Sequence, residues 1–300
     1  MSNELEAVLS GETISAGPDS PGTVVVGVEV RAPADVVWRS LTEPAVVASW
    51  FGDLSRELMP GGTSRLEFGD GDFFDIEAVR ICAPEALQYR WRFLGIGPQD
   101  TVTWRLEPAG DSCRVTVTDS EPGRSHEAAM MLREGWLDFT SRLVEFHATG
   151  KPTRYDWRRE LDVGVDIPGA CAETLPSLST PEAQSHYLPF QTPLRPGATA
   201  EIPDGVQPRL FRISDVQWQS RSEVEFKLSG DGWVAPTVCR IDLIPRPTGL
   251  LLNVSHNGWE QISPDPAIQL QQRRRFCEHW IAALKRARQT FARMADAPSH

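Results

Sequence analysis

The order of patterns along the first half of the chain recurs in the second half. Self-similarity at a nearly fixed offset restricts the fold to tandem copies of one unit. Pro33 and Pro168 stand 135 positions apart, Thr101 and Thr237 136, and Trp136 and Trp280 144, the excess falling in loops. In the first copy TVVVGVEVR, 23–31, is β-branched and partly alternating, and it ends at an Ala-Pro before a helical pattern in Val36, Val37, Trp38 and Leu41. Pro44 opens a second short helix reaching Trp50, because proline suits a first helical turn and not an interior.

Strand-like segments follow, separated by turn residues: TSRLEF, FFDIEAVRI, LQYRWRF, TVTWRLE and CRVTVTD. Leu87, Tyr89, Trp91 and Phe93 alternate with Gln88, Arg90 and Arg92, and Val102, Trp104 and Leu106 alternate with polar partners, which predicts an antiparallel meander with one apolar face. After Ser125, an N-cap residue, the period becomes helical. Leu132, Trp136, Phe139, Leu143 and Phe146 form one stripe, closed by Gly150-Lys151-Pro152.

The second copy repeats this order. DVGVDIPGACAETL and STPEAQSHYLPF echo the opening, RPGATAEI echoes GGTSRLEF, SEVEFKL echoes LQYRWRF, and TVCRIDLIPRPTGLLLNVS echoes TVTWRLEPAGDSCRVTVTDS. A last stripe in Phe276, Trp280, Leu284, Ala287 and Phe291 matches the first copy's helix. The expected organisation is a disordered polar leader over 1–22, a first domain over 23–150, a basic linker over 151–160 and a second, divergent domain over 161–295.

Composition excludes several classes of function. A net charge of -11 on 300 residues argues against a general nucleic-acid binder, whose footprint is basic. No run approaches the roughly 18 apolar residues of a membrane span, and the N-terminus lacks a signal-peptide pattern, so a cytoplasmic protein with no membrane partner is expected. Cys82, Cys113, Cys171, Cys239 and Cys277 are widely spaced without a C-x-x-C and read as small buried hydrophobes. His126, His147, His186, His256 and His279 lack metal-ligand spacing, and no P-loop, G-x-S-x-G or G-x-G-x-x-G occurs; neither metal nor cofactor is expected.

Other polar features have bland readings. GDGDFFD, 69–75, lacks the glutamate and helical flanks of a calcium loop and is expected to be a polar turn. Glu134 is expected in a surface ion pair with a neighbouring arginine. His256 and His279 are weighed as an acid and base pair against turn capping and a solvated helix face, the second being favoured. The basic run from Arg273 to Arg293 is expected to be a solvated face, with contact to an acidic partner or the first domain as the rival.

As an ordered set, VRAPADVVWRSLTEPAVVASWF, the Gly-Gly before a strand, APEALQYRW, TVTWRLEPAGDSCRVTVT and REGWLDFTSRL resemble the SRPBCC, or START-like, superfamily over about 25–148. Within it they are similar to the branch of the heat-shock-protein-90 ATPase activator. The second copy resembles the branch less closely; it keeps HNGW at 256–259 and Trp280 but lacks counterparts of Trp38 and Trp50. The resemblance implies an α+β fold of two tandem helix-grip domains, each a curved antiparallel sheet around a long C-terminal helix with two short helices. It also implies a cavity between sheet and helix, and in the first copy the lining residues would be Trp38, Trp50, Phe51, Phe68, Tyr89, Trp91, Trp104, Leu132, Trp136 and Phe139.

Three functions compete. The first is a non-catalytic binder of a hydrophobic, aromatic small molecule; some relatives of the branch in antibiotic-producing bacteria intercept the cell's own product, so sequestration of a natural product such as an enediyne is its sharpest form. The second, from resemblance to didomain aromatase/cyclases, is polyketide chemistry needing an acid or base such as Arg90, Arg92, Glu134 or Tyr89 on the cavity wall, although alternation puts both arginines opposite Trp91. The third is a co-chaperone-like module with a protein partner.

Overall fold

A computed structural model describes residues 22–170, 175, 177–202 and 208–295. The leader expected over 1–22 therefore lies, apart from its last residue, outside the described residues. The chain divides into two compact units. One runs to Gly69 and then through Phe73–Gly95 and Gln99–Asp156; the other comprises Asp70–Asp72, Ile96–Pro98 and the chain from Trp157.

In the first unit β1 (Thr23–Val30) is followed by α1 (Ala34–Thr42) and α2 (Pro44–Trp50), then β2 (Asp53–Leu54), β3 (Thr63–Glu67), β4 (Phe73–Cys82), β5 (Ala86–Phe93), β6 (Gln99–Ala109), β7 (Ser112–Ser120) and α3 (His126–Thr149). The strands form one antiparallel sheet in the order β1-β7-β6-β5-β4-β3-β2. Alternation decides which face meets the helix: Val24, Val26, Val28 and Val30 are buried along β1, and Cys113, Val115 and Val117 along β7. A bulge between Ala78 and Arg80 interrupts the β4–β5 register and bends the sheet locally.

The helices begin and end where local chemistry dictates. Pro44 opens α2, and the Trp50 indole N–H at its end donates to the Ser40 carbonyl at 2.8 Å, tying α2 to α1. The Ser125 hydroxyl accepts from Ala128 N–H at 3.2 Å, and Gly150, at φ 65, takes the left-handed turn that closes α3. Gly135 lies inside α3, where an added Cβ would meet nothing within 4 Å. No steric demand keeps it there, so α3 carries a glycine's cost in helix stability without a packing return.

The second unit has the same plan. β8 (Asp162–Pro168), α4 (Pro181–Tyr187), β9 (Thr199–Ile202), β10 (Arg209–Ser220), β11 (Glu223–Gly230), β12 (Thr237–Arg246), β13 (Gly249–Asn257), a 3-10 turn (Trp259–Gln261) and α5 (Pro266–Ala295) follow in order. Its sheet runs β8-β13-β12-β11-β10-β9, the first unit's sequence of neighbours without the short edge strand. Phe276, Trp280, Leu284, Ala287 and Phe291 are all buried, as their helical spacing predicts. Among the described residues no helix is long and apolar enough to cross a membrane.

Two sequence expectations fail at single residues in this unit, although the other basic residues of the run, Arg274 to Arg293, are exposed or half-exposed as expected. Asp70 and Asp72, within the supposed polar turn, are 0% and 4% exposed, and Arg273, within the supposed solvated face, is 0% exposed. Arg273 Nη2 meets Asp72 Oδ2 at 2.7 Å and Nη1 donates to the Asp70 carbonyl at 2.8 Å. The partners stand 201 positions apart, so no local pattern pairs them. Burial pushes the Asp72 carboxyl above its ordinary pKa against the opposing pull of Arg273.

His256 is equally buried, and it forms no acid and base pair with His279. Trp280 Nε1 donates to its Nδ1 at 3.0 Å and its Nε2 meets Thr237 Oγ1 at 2.8 Å. An indole can only donate, so Nδ1 is the acceptor and the proton sits on Nε2; both ring nitrogens are used. Burial, reinforced by Arg273, holds this imidazole well below its ordinary pKa. The unfolded chain therefore takes up a proton here below about pH 6.5 that the folded chain does not. His256→Asn is expected to flatten the loss of stability below pH 6.5, by up to about 1.4 kcal/mol per pH unit, in urea midpoints compared between pH 5 and 7.5. Gly135→Ala is expected to stabilise the protein by about 0.5 to 1 kcal/mol, read as a raised melting temperature.

Candidate functional site

In the first unit the space between sheet and α3 is filled by rings. Trp50, Phe51, Phe68, Tyr89, Trp91, Trp104 and Trp136 are each no more than 5% exposed, while Trp38, Leu132 and Phe139 are half-buried against the same core. β5 supplies Tyr89 and Trp91, β6 supplies Trp104, α3 supplies Trp136 and Phe139, and the end of α2 supplies Trp50 and Phe51. Phe74 stacks on Trp91 at 3.8 Å and Trp91 stacks on Trp136 at 5.3 Å. Trp104 meets Trp50 and Trp136 edge to face, and Phe139 meets Phe51 in the same way at 4.7 Å. Contacts of this kind are worth about 0.5 to 1.5 kcal/mol each beyond burial.

The packing leaves little open space among these rings. Beneath α1 and α2 the interior keeps a void of about 20 Å³, lined by Ser40, Val47, Trp50, Leu66, Tyr89 and Trp104 among others. That holds about one water, whereas a small-molecule pocket has on the order of 300 Å³ or more. The rings predicted to line a cavity also meet one another; sequence period assigns a residue to a face but says nothing of the gap between faces.

The larger depression, about 550 Å³, lies elsewhere on this unit and has a polar lining that includes Arg56, Arg65, Asp75, Glu77, Arg90 and Arg92. Three of its arginines are engaged: Arg65 with Asp75 at 2.8 Å, Arg90 with Glu77 at 2.7 Å and Arg92 with Gln99 at 3.3 Å. Glu134, 71% exposed at its side chain, pairs with Arg133 at 3.5 Å, the bland outcome anticipated for it.

Polar groups missed by the sequence reading stand at the edge of the ring cluster. Asp119, near the end of β7 and fully buried, accepts from Trp136 Nε1 at 3.0 Å through Oδ2 and from Arg124 Nη2 at 2.7 Å through Oδ1. Asp100, opposite Trp91 in the β5–β6 register, meets the same Arg124 nitrogen at 3.0 Å. Arg124 is held in turn by the Gly22 carbonyl at 2.7 Å. Tyr89 completes the polar set, its hydroxyl accepting from Trp104 Nε1 at 3.1 Å.

Burial and the neighbouring Asp119 raise the Asp100 carboxyl to about 7, against the pull of Arg124. Burial also raises Asp119, again opposed by Arg124. The Trp91 indole N–H also draws Asp100 down, yet it makes no hydrogen bond and remains a buried donor without a partner. A weak electrostatic pull does not satisfy a buried donor.

Asp100 and Asp119 were within reach of the alternation. Asp100 is in phase with Val102, Trp104 and Leu106, and Asp119 with Val115 and Val117, so each is a carboxylate at an apolar position of its strand. Arg124, in the loop before α3, carries no such signal.

Asp100→Asn is expected to remove a pH-dependent cost. Its folded pKa exceeds the unfolded value, so its contribution is full below about pH 4 and declines as pH rises through 7. The variant is therefore more stable than the parent at pH 8, by a margin that shrinks toward pH 4 in denaturation curves. Trp136→Phe, which leaves Asp119 Oδ2 without its indole donor, is expected to cost about 1 to 3 kcal/mol by the same measurement.

Comparison with known proteins gives one family and a set of structures. The model of the family described as Activator of Hsp90 ATPase homolog 1-like protein matches residues 31–148. The crystal structure of DynU16, a protein in the dynemicin biosynthetic locus, is 37% identical over 90% of this chain and 99% of DynU16, with a TM-score of 0.82. CalU16 from Micromonospora echinospora is 23% identical over 43% of this chain and 77% of its own, with a TM-score of 0.37. Aha1 from Colwellia psychrerythraea, solved as a dimer, is 17% identical over 43% and 98%, with a TM-score of 0.39. No curated protein matches the sequence.

Proposed function

The chain belongs to the Activator of Hsp90 ATPase homolog 1-like family of the SRPBCC superfamily, in tandem helix-grip form, and on that premise we propose that its first unit binds a flat, hydrophobic, aromatic small molecule. The single observation that carries this reading is the contrast between the two ring clusters. In the second unit the fully buried rings have their polar atoms bonded: Trp280 and Thr237 engage both His256 nitrogens, Trp259 Nε1 donates to the His256 carbonyl at 2.7 Å, and Tyr187 donates to the Leu178 carbonyl at 2.7 Å. In the first unit the Trp91 N–H is unsatisfied, a void persists below α1 and α2, and Trp38, Phe74 and Phe139 reach partial exposure.

Opening the first cluster exchanges ring-ring contacts for ring-ligand contacts of similar kind. The sharper form of the proposal is sequestration of a natural product, such as an enediyne, in a producing cell; the resemblance of the whole chain to a protein of a biosynthetic locus supports it. The site residues proposed are Trp38, Trp50, Phe51, Phe68, Tyr89, Trp91, Trp104, Leu132, Trp136 and Phe139.

One observation favours a second, enzymatic reading. Asp100 has the near-neutral pKa suited to a general acid. Tryptophan-quenching titrations with aromatic polyketides and enediyne-like compounds, followed by recovery of the compound, separate the readings. Saturable binding with the compound unchanged, weakened about tenfold or more in Trp136→Ala, is the expected result. Conversion of the compound favours catalysis; no binding by the folded protein overturns both and favours a protein partner.

A further inference from the structure

The polar end of the first ring cluster has a geometry that the hydrophobic reading leaves unused. Trp91 is 2% exposed and its indole N–H has no partner, an uncommon state for a buried donor. Beside it stands Asp100, whose side chain is 20% exposed and which touches Arg124 through Oδ1. Asp119 accepts from Arg124 and Trp136 and makes no hydrogen bond to the Trp91 donor. Arg124 is likewise committed, to Asp100, Asp119 and the Gly22 carbonyl.

We propose that the Trp91 indole N–H and the Asp100 carboxyl together form a two-donor anchor for a carbonyl oxygen at one end of a flat aromatic ligand. The inference rests on the ligand-binding reading above and deepens it by naming the polar chemistry of the ligand. The ring of such a ligand enters between the Trp91 and Trp136 indoles, parting the stack they make, and its oxygen reaches the donor that the folded chain leaves empty. A carbonyl oxygen has two lone pairs and accepts from both groups at once.

The charges around Asp100 supply its proton. Asp119 and Glu121 press its pKa upward together with burial, Arg124 and the Trp91 N–H press it downward, and the balance lies at about 7. Below that pH Asp100 is a carboxylic acid and donates. Above it the group is a carboxylate and repels a carbonyl oxygen, so carbonyl recognition weakens as pH rises through 7.

The test uses two probes matched in shape, 2-acetylnaphthalene and 2-ethylnaphthalene, titrated into the full chain at pH 6 and pH 8.5 by tryptophan quenching. The ratio of their affinities is read within each protein, so a general loss of packing in a variant cancels. The expected result is a preference for the acetyl compound of about tenfold at pH 6, the size of one net hydrogen bond. It falls toward parity at pH 8.5. Asp100→Asn, whose amide donates at both pH values, keeps the preference at both, and Trp91→Phe reduces it several-fold.

Equal binding of the two probes at pH 6, or a preference unchanged by pH and by both substitutions, overturns the anchor while leaving the ligand-binding reading intact. Binding of neither probe overturns the anchor together with the reading beneath it.

Discussion

Each helix-grip unit depends on how one tryptophan of its long helix fastens to the last strand of its sheet. In the first unit Trp136 Nε1 donates to Asp119 at 3.0 Å; in the second Trp280 Nε1 donates to His256 at 3.0 Å. Both acceptors occupy the penultimate position of their strands, in β7 and β13, and the two strands hold the same place next to β1 and β8. An indole inserted among rings brings a polar atom into an apolar interior, and a partner on the sheet removes that cost and fixes the rotation of the helix. The surrounding aromatic contacts depend on that rotation.

The duplicated bond has been given two chemistries. A carboxylate accepts as an anion and requires a cation nearby, which Arg124 provides. An imidazole accepts while neutral and needs only a hydroxyl on its other nitrogen, which Thr237 provides. The choice has consequences for what each interior can hold. The carboxylate draws in Arg124 and with it Asp100, leaving a charged, partly open border to the rings, whereas the imidazole closes its interior without a border of that kind. The ligand anchor proposed above lies beside the former.

Much of this was legible in the sequence, for reasons specific to particular residues. Val102, Trp104 and Leu106 announce an inward face by alternation alone, and Ser125 and Gly150 mark the ends of α3 by the backbone geometry each favours. The same alternation also places Asp100 and Asp119 inside. Other features have no local signature. Asp53–Leu54 is too short to show a period, and the burial of Asp72 depends on Arg273, far along the chain. Whether rings line a space or fill it depends on the distance between sheet and helix, which periodicity does not encode.

The nearly parallel stack of Trp91 on Trp136, at 5.3 Å and 17°, also makes the first unit an optical object. Two indoles at that separation couple their electronic transitions, so the pair contributes a signed near-ultraviolet band that depends on their mutual angle. Any molecule that parts them changes that band even if it carries no chromophore of its own. The indoles of Trp259 and Trp280 in the second unit already donate to His256, and they provide a constant background against which the first unit's rearrangement can be followed.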